Sequence, residues 1–164
     1  MAVLRLAGIV RESIVDGPGI RFTIFVQGCP HHCFGCHNAQ THDFAGGFDC
    51  DTDKILYEVE KDPLVSGVTF SGGEPFCQAE GLTELAKKLR AKGYDIISYS
   101  GYTFEQICED EKKLELLKQC DHLIDGKFVM EKKDLTLHFR GSSNQRIIDV
   151  KRSLEENKAV VTEL

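Results

Sequence analysis

Apolar positions along this chain come in short, separated runs, and their spacing changes between two periods. Runs rich in β-branched and aromatic residues read as strands: Val3 to Val10, Ile20 to Gln27 (IRFTIFVQ), Gly67 to Ser71 (GVTFS), Asp95 to Tyr99 (DIISY), His122 to Asp125 (HLID) and Arg146 to Val150 (RIIDV). Ile20 to Gln27 is the densest of them. The intervening segments carry helical spacing. Thr52 reads as the N-cap of a helix bearing Ile55, Leu56 and Val59, which stops before Pro63. From Gln78 to Lys92, Leu82, Leu85, Ala86 and Leu89 share one face, and Gly93 suits the position after the end. Thr103 and Gln106 form a capping-box pattern opening one or two helices to about Gln119, with Ile107, Leu114 and Leu117 inward. Ser153 to Glu156 is a short final helix. Ser13 to Gly19 (SIVDGPG), Thr41 to Cys50 and Asp134 to Gln145 read as loops.

Strand and helix in alternation predict an α/β fold with a mainly parallel sheet, whose right-handed crossovers bring the strand ends to one rim. About five of these strands alternate with helices, too few for a closed eight-stranded barrel, so the expected architecture is an open partial (β/α) barrel. The expectation is a single domain over residues 1–164, without internal repeats.

Composition narrows the class. A chain of 164 residues, 41% hydrophobic and 28% charged, suits a soluble globular domain with a real core. The net charge of −6 argues against nucleic-acid binding through a broad basic face. No apolar run approaches the roughly 18 residues of a membrane span. Arg5 and Arg11 interrupt the N-terminal stretch, which has no signal-peptide pattern. Seven clustered cysteines do not resemble a secreted disulfide framework, and the expected location is the cytoplasm.

Three of those cysteines stand in the stretch Gly28 to Asn38, GCPHHCFGCHN, with the spacing C-x3-C-x2-C. Cys29, Cys33 and Cys36 can converge only if the loop wraps around something. A structural zinc ion needs four ligands, and His31, His32 or His37 is near enough in sequence to be the fourth. A cubane iron–sulfur cluster would instead keep one iron without a protein ligand. The second distinctive loop, Ser71-Gly72-Gly73-Glu74-Pro75, follows the next strand. Its glycines permit close backbone approach, and Pro75 keeps Glu74 extended. Cys108 and Cys120 read as core fillers, Cys50 and Cys77 as free thiols. His31, His32, His42, His122 and His138 read as surface or loop residues. Asp125 and Lys127 flank a glycine at a strand end, as site residues or as a simple turn.

The cysteine loop with its downstream GGE resembles the radical S-adenosylmethionine superfamily. More narrowly, DGPGIR (Asp16 to Arg21), Gly28 to Asn38, Ser71 to Pro75, SGYT (Ser100 to Thr103) and FRGSSNQRIIDV (Phe139 to Val150) resemble the family that activates anaerobic ribonucleoside-triphosphate reductases. One departure is Gly35, where an aromatic residue usually precedes the third cysteine; here Phe34 stands one step earlier.

The resemblance implies a [4Fe–4S] cluster ligated by Cys29, Cys33 and Cys36, with S-adenosylmethionine on the fourth iron. It implies that Gly72, Gly73 and Glu74 hold the methionine amino group. Gly35, Cys36 and His37 would lie along the adenosine through their backbone, and Ser98 and Ser100 would reach the ribose. Reductive cleavage to a 5′-deoxyadenosyl radical would then remove hydrogen from a glycine of the reductase catalytic subunit, with a flavodoxin or ferredoxin as electron donor. The Asp16–Arg21 loop and the Arg140–Arg146 segment would border the cleft that admits the partner's glycine loop, making Asp16, Arg21, Arg140 and Arg146 partner-facing. Two other readings stay open at this point. One is a different radical S-adenosylmethionine enzyme, either another glycyl-radical activator or a deazapurine-forming synthase. The other is a zinc-bound interaction module without catalysis.

Overall fold

A computed structural model describes residues 2–36 and 38–164. Seven strands form one mixed sheet: β1 (Val3–Ser13), β2 (Arg21–Val26), β3 (Phe48–Asp51), β4 (Gly67–Gly72), β5 (Asp95–Tyr99), β6 (His122–Asp125) and β7 (Arg146–Asp149). Their order is β3-β1-β2-β4-β5-β6-β7. The central four, β2, β4, β5 and β6, are parallel. The flanking pairs β1–β2, β1–β3 and β6–β7 are antiparallel. The α/β class and the parallel centre match expectation, whereas the strand count and the antiparallel edges do not.

The additional strand β3 lies inside the stretch expected to be a loop. Its sequence, FDCD, has no apolar alternation because Phe48 and Asp49 face solvent at the sheet edge. Its backbone pairs with β1, from Val3 opposite Asp51 to Leu6 opposite Phe48. Such pairing needs no side-chain signal.

The helices are α1 (Thr52–Glu60), α2 (Ala79–Ala91), α3 (Phe104–Cys108), α4 (Glu111–Leu117) and α5 (Val150–Glu156). Asp51, not Thr52, caps α1: its carboxylate accepts from the Asp53 amide at 2.8 Å. Thr52 is buried, and its hydroxyl accepts from the Ala2 amide. The capping box of Thr103 and Gln106 is present at α3. Gly93, at φ +94°, follows α2 as expected. Asp149 caps α5, so Val150 begins a helix rather than ending a strand.

Alternation along the strands sorts side chains onto two faces. Phe22, Ile24, Val26, Val68, Phe70, Ile96, Leu123 and Ile148 pack with Leu82, Leu85 and Leu89 of α2 in the main core. Each fully buried aliphatic or aromatic side chain there contributes about 1.5–3 kcal/mol. The opposite face carries only a small cluster, Ile97, Ile124 and Ile147, against which Tyr99 and Phe139 pack.

Arg21 closes the start of that second face. It is 1% exposed. Its guanidinium donates to Thr69 Oγ1 at 2.7 Å and to the Val68 carbonyl at 2.9 Å, and pairs with Asp95 at 2.9 Å. The expectation that Arg21 faces a partner is therefore corrected: its charge is spent inside the fold. Arg21→Ala is expected to lower stability by about 2–4 kcal/mol, through a cavity and an unpaired Asp95, as urea unfolding would show. Arg21→Lys should recover little, because one ammonium cannot reproduce the fork.

Candidate functional site

Because β2, β4, β5 and β6 run parallel, their C-terminal ends share one rim, and the polar loops gather there. A cleft of about 370 Å³ opens on this rim. Cys29, Cys33 and Cys36 line it, together with Ser71, Gly72, Gly73, Ser100 and Gly101. The Asp16 loop and the connector before β7, through Arg140, Gly141 and Gln145, form other parts of its wall.

Backbone hydrogen bonds lace the two distinctive loops together. The Gly73 amide donates to the Val26 carbonyl at 2.8 Å, and the Glu74 amide donates to the Gly28 carbonyl at 2.8 Å. On the other side of the cysteine loop, the Gly28 amide donates to Thr41 O and the Cys29 amide to His42 O. Gln27 anchors the return of the chain, its amide donating to the Gln40 and Asp43 carbonyls.

This lacing explains the diglycine differently from ligand approach alone. A Cβ at Gly73 would come within 2.3 Å of the Gly28 carbonyl oxygen, and one at Gly72 within 2.5 Å of the Val26 nitrogen. The glycines let the loop after β4 lie directly on the root of the cysteine loop. Both also line the cleft.

Glu74 is fully buried, and its carboxylate is the hub of the rim. Oε1 accepts from the Gly101 amide at 2.7 Å and lies 2.7 Å from His31 Nε2. Oε2 accepts from the Phe76 amide and the Ser100 hydroxyl, each at 2.9 Å. His31 lies in a loop, as one of the two sequence readings had it, but its side chain is 6% exposed and so is not a surface feature. Its ring also meets Tyr102 edge-on, with centroids 4.6 Å apart. Burial, and then the neighbouring Cys77, push the Tyr102 phenol up to about 12, so it stays protonated.

The remaining expected site residues divide. Ser100 lines the cleft, but its hydroxyl is committed to Glu74. Ser98 is fully buried on the helix-covered face, where strand alternation places it with Ile96, and its hydroxyl donates to Tyr99 O. A ribose contact from Ser98 is thus corrected; Tyr99, one residue on, is the β5 side chain that reaches the cleft. Gly35, at φ +76°, packs beneath Met130 and Phe128. Cys36 lines the cleft, while His37 lies outside the described residues. Asp16 lines the cleft, held by the Ser13 and Thr23 hydroxyls. Arg140 lines it too, with a buried Nε that has no hydrogen-bond partner among the described residues. Arg146 is pinned between Asp125 and Glu105 and does not line this cleft.

Sequence reasoning did not single out Phe128, Phe139, Asn38 or Gln145, all of which line the cleft. The last two lie within stretches that carried the resemblance, Gly28 to Asn38 and Phe139 to Val150, but neither was given a role of its own. Phe128 stands three residues beyond the predicted strand His122 to Asp125, and an aromatic near a strand end was the available signal.

The donor set suits an iron–sulfur cluster. Cys29, Cys33 and Cys36 are free thiols opening on one cleft. Burial, together with the Glu74 and Cys33 charges, raises the Cys29 pKa, a penalty that ligation to iron would offset. Among the described residues, no three His, Cys, Asp or Glu side chains are placed to hold a single metal ion.

A parallel-centred α/β sheet with three thiols and a glycine-rich loop at one rim suits an iron–sulfur domain, and comparison with known proteins agrees. The family model described as a 4Fe-4S single cluster domain matches residues 15–148. The structure of QueE from Escherichia coli superimposes with a TM-score of 0.50 at 17% identity, over 62% of this chain and 53% of that one, a likeness of fold. The anaerobic ribonucleoside-triphosphate reductase-activating protein of Vibrio cholerae is 36% identical over 144 residues, covering 82% of this chain and 91% of the relative. Its counterpart in Escherichia coli K12 is 34% identical over 141 residues, covering 81% and 90%. That of bacteriophage T4 is 37% identical over 141 residues, covering 82% and 87%. The chain belongs to the anaerobic ribonucleoside-triphosphate reductase-activating protein family.

Proposed function

We infer that this protein activates an anaerobic ribonucleoside-triphosphate reductase by generating a glycyl radical on its catalytic subunit. The observation that carries the reading is the opening of Cys29, Cys33 and Cys36 onto the same cleft as the Gly72–Gly73 loop, in a chain whose relatives bear that name. In this reading the three cysteines ligate three irons of a [4Fe–4S] cluster, and S-adenosylmethionine occupies the cleft. When bound, these groups supply a one-electron cleavage whose product takes a hydrogen atom from the partner's glycine.

The chain's own residues bind, orient and shield. Gly72 and Gly73 offer backbone, and Glu74 takes the methionine ammonium. Phe128, beside Gly35, supplies the aromatic surface that the glycine at that position lacks. Tyr99 and Phe139, joined by a 2.8 Å hydrogen bond from the phenol to the Phe139 carbonyl, wall off water. The sheet's uncovered face would curve as an open partial barrel, leaving a lateral entry for an extended glycine loop. Asp16 and Arg140 border that entry. A flavodoxin or ferredoxin would deliver the electron. Seven free cysteines suit the reducing cytoplasm, and among the described residues no helix is long and apolar enough to cross a membrane.

The test is anaerobic incubation with reductase, reductant and S-adenosylmethionine, followed by electron paramagnetic resonance for a glycyl radical. Arg140→Ala should lower the radical yield about ten-fold while changing uncoupled cleavage less than about two-fold, as for a lost partner contact. Arg146→Ala should lower both together, since that side chain braces Asp125 and Glu105. Equal losses for Arg140→Ala would remove that residue from the partner surface.

A further inference from the structure

Glu74 is the group that the preceding reading gives to the ligand's ammonium, yet its carboxylate has no free acceptor position. Two carboxylate oxygens offer about four lone-pair sites. His31, Gly101, Phe76 and Ser100 occupy four. Two of these donors are backbone amides, and neither can leave without moving the loop that carries it. The Ser100 hydroxyl also accepts from the Tyr102 amide at 3.0 Å, so it is held from both sides. His31 differs: its ring enters from the cysteine loop, borders the cleft and stands at the end of a rotatable side chain. Space is made for it by Gly101, where a Cβ would lie 2.3 Å from the ring. Among the described residues, His31 is also the one basic side chain within ion-pair distance of Glu74.

We propose that His31 is a displaceable gate: its ring holds Glu74 Oε1, and the ammonium of a bound amino acid must push it aside to reach the carboxylate. The proposal rests on the assignment of Glu74 to that ammonium. The exchange replaces one donor by another, so the carboxylate stays satisfied throughout, and the cationic ligand gains a buried anion as partner. Tight ligand binding is thus reduced by the work of displacing His31. A ligand with the same nucleoside and no amino group does not incur that work.

The test compares S-adenosylmethionine with its des-amino analogue by anaerobic calorimetry on cluster-reconstituted protein. His31→Ala is expected to tighten binding of S-adenosylmethionine about ten-fold, the size of one charged hydrogen bond, and to leave the analogue unchanged. A second measurement uses the unmutated protein: carbethoxylation of His31, read by mass spectrometry, should quicken when S-adenosylmethionine is bound but not when the analogue is. If His31→Ala leaves the difference between the two ligands unchanged or shrinks it, or if S-adenosylmethionine slows modification of His31, the gate is refuted. If the His31→Ala protein binds both ligands equally, the assignment of Glu74 to the ammonium fails first, and the gate with it. A variant too unstable to load its cluster leaves the modification experiment to decide.

Discussion

Alanine at any one of Cys29, Cys33 or Cys36 is expected to yield, after anaerobic reconstitution, a colourless chain with far fewer than the about four irons of a cubane and with methionine release at background. Three thiols are the minimum that leaves a single open iron, so removing one leaves a second iron without a protein ligand. The other four cysteines offer no substitute. Cys120 is buried beneath α4, where burial pushes its thiol strongly up. Among Cys50, Cys77 and Cys108, none lines the cleft. Iron and sulfide analysis with visible absorption decides the matter. A variant that kept full iron and cleavage would dissociate these residues from the chemistry.

Glu74→Ala is expected to destabilise the protein before any cofactor is considered, by about 3–5 kcal/mol, the range for removing one member of a buried, hydrogen-bonded charged set. Four donors would lose their acceptor in a fully buried place. For a domain of this length the loss corresponds to roughly 6–20 °C in Tm, a large share of a total stability of about 5–15 kcal/mol. Glu74→Gln should cost less than Glu74→Ala, since the amide keeps one acceptor oxygen, while its NH2 cannot accept from the backbone amide on the other side. Calorimetric melting of cluster-free protein separates this structural role from ligand binding. Unaltered melting in Glu74→Ala would show that the four donors find water or other partners.

Much of the rim was legible from residues alone. The cysteine spacing and the GGE loop follow their strands directly, and the structure brings both to one cleft. The capping box at Thr103 and the apolar face of α2 carried enough local signal to be placed correctly. What stayed hidden involved partners distant in sequence. Arg21 looks like a surface cation in a glycine-rich loop, and only the pairing of β2 with β4 puts Thr69 and Val68 against it. Ser98 and Tyr99 are adjacent in sequence, but only the helix layer decides which of their two faces is closed. His31 is an ordinary loop histidine until Glu74, forty-three residues later, arrives beneath it.

The linear order of residues thus determined the reactive groups and the alternation of strand and helix, because thiol spacing, apolar periodicity and capping are local properties. Tertiary structure alone decided the antiparallel edges, the interior place of Arg21 and the closed hydrogen-bond set around Glu74. Edge pairing draws on backbone groups that every residue carries. A buried charge is tolerated only where several distant donors converge, and that convergence exists only after the loops have packed.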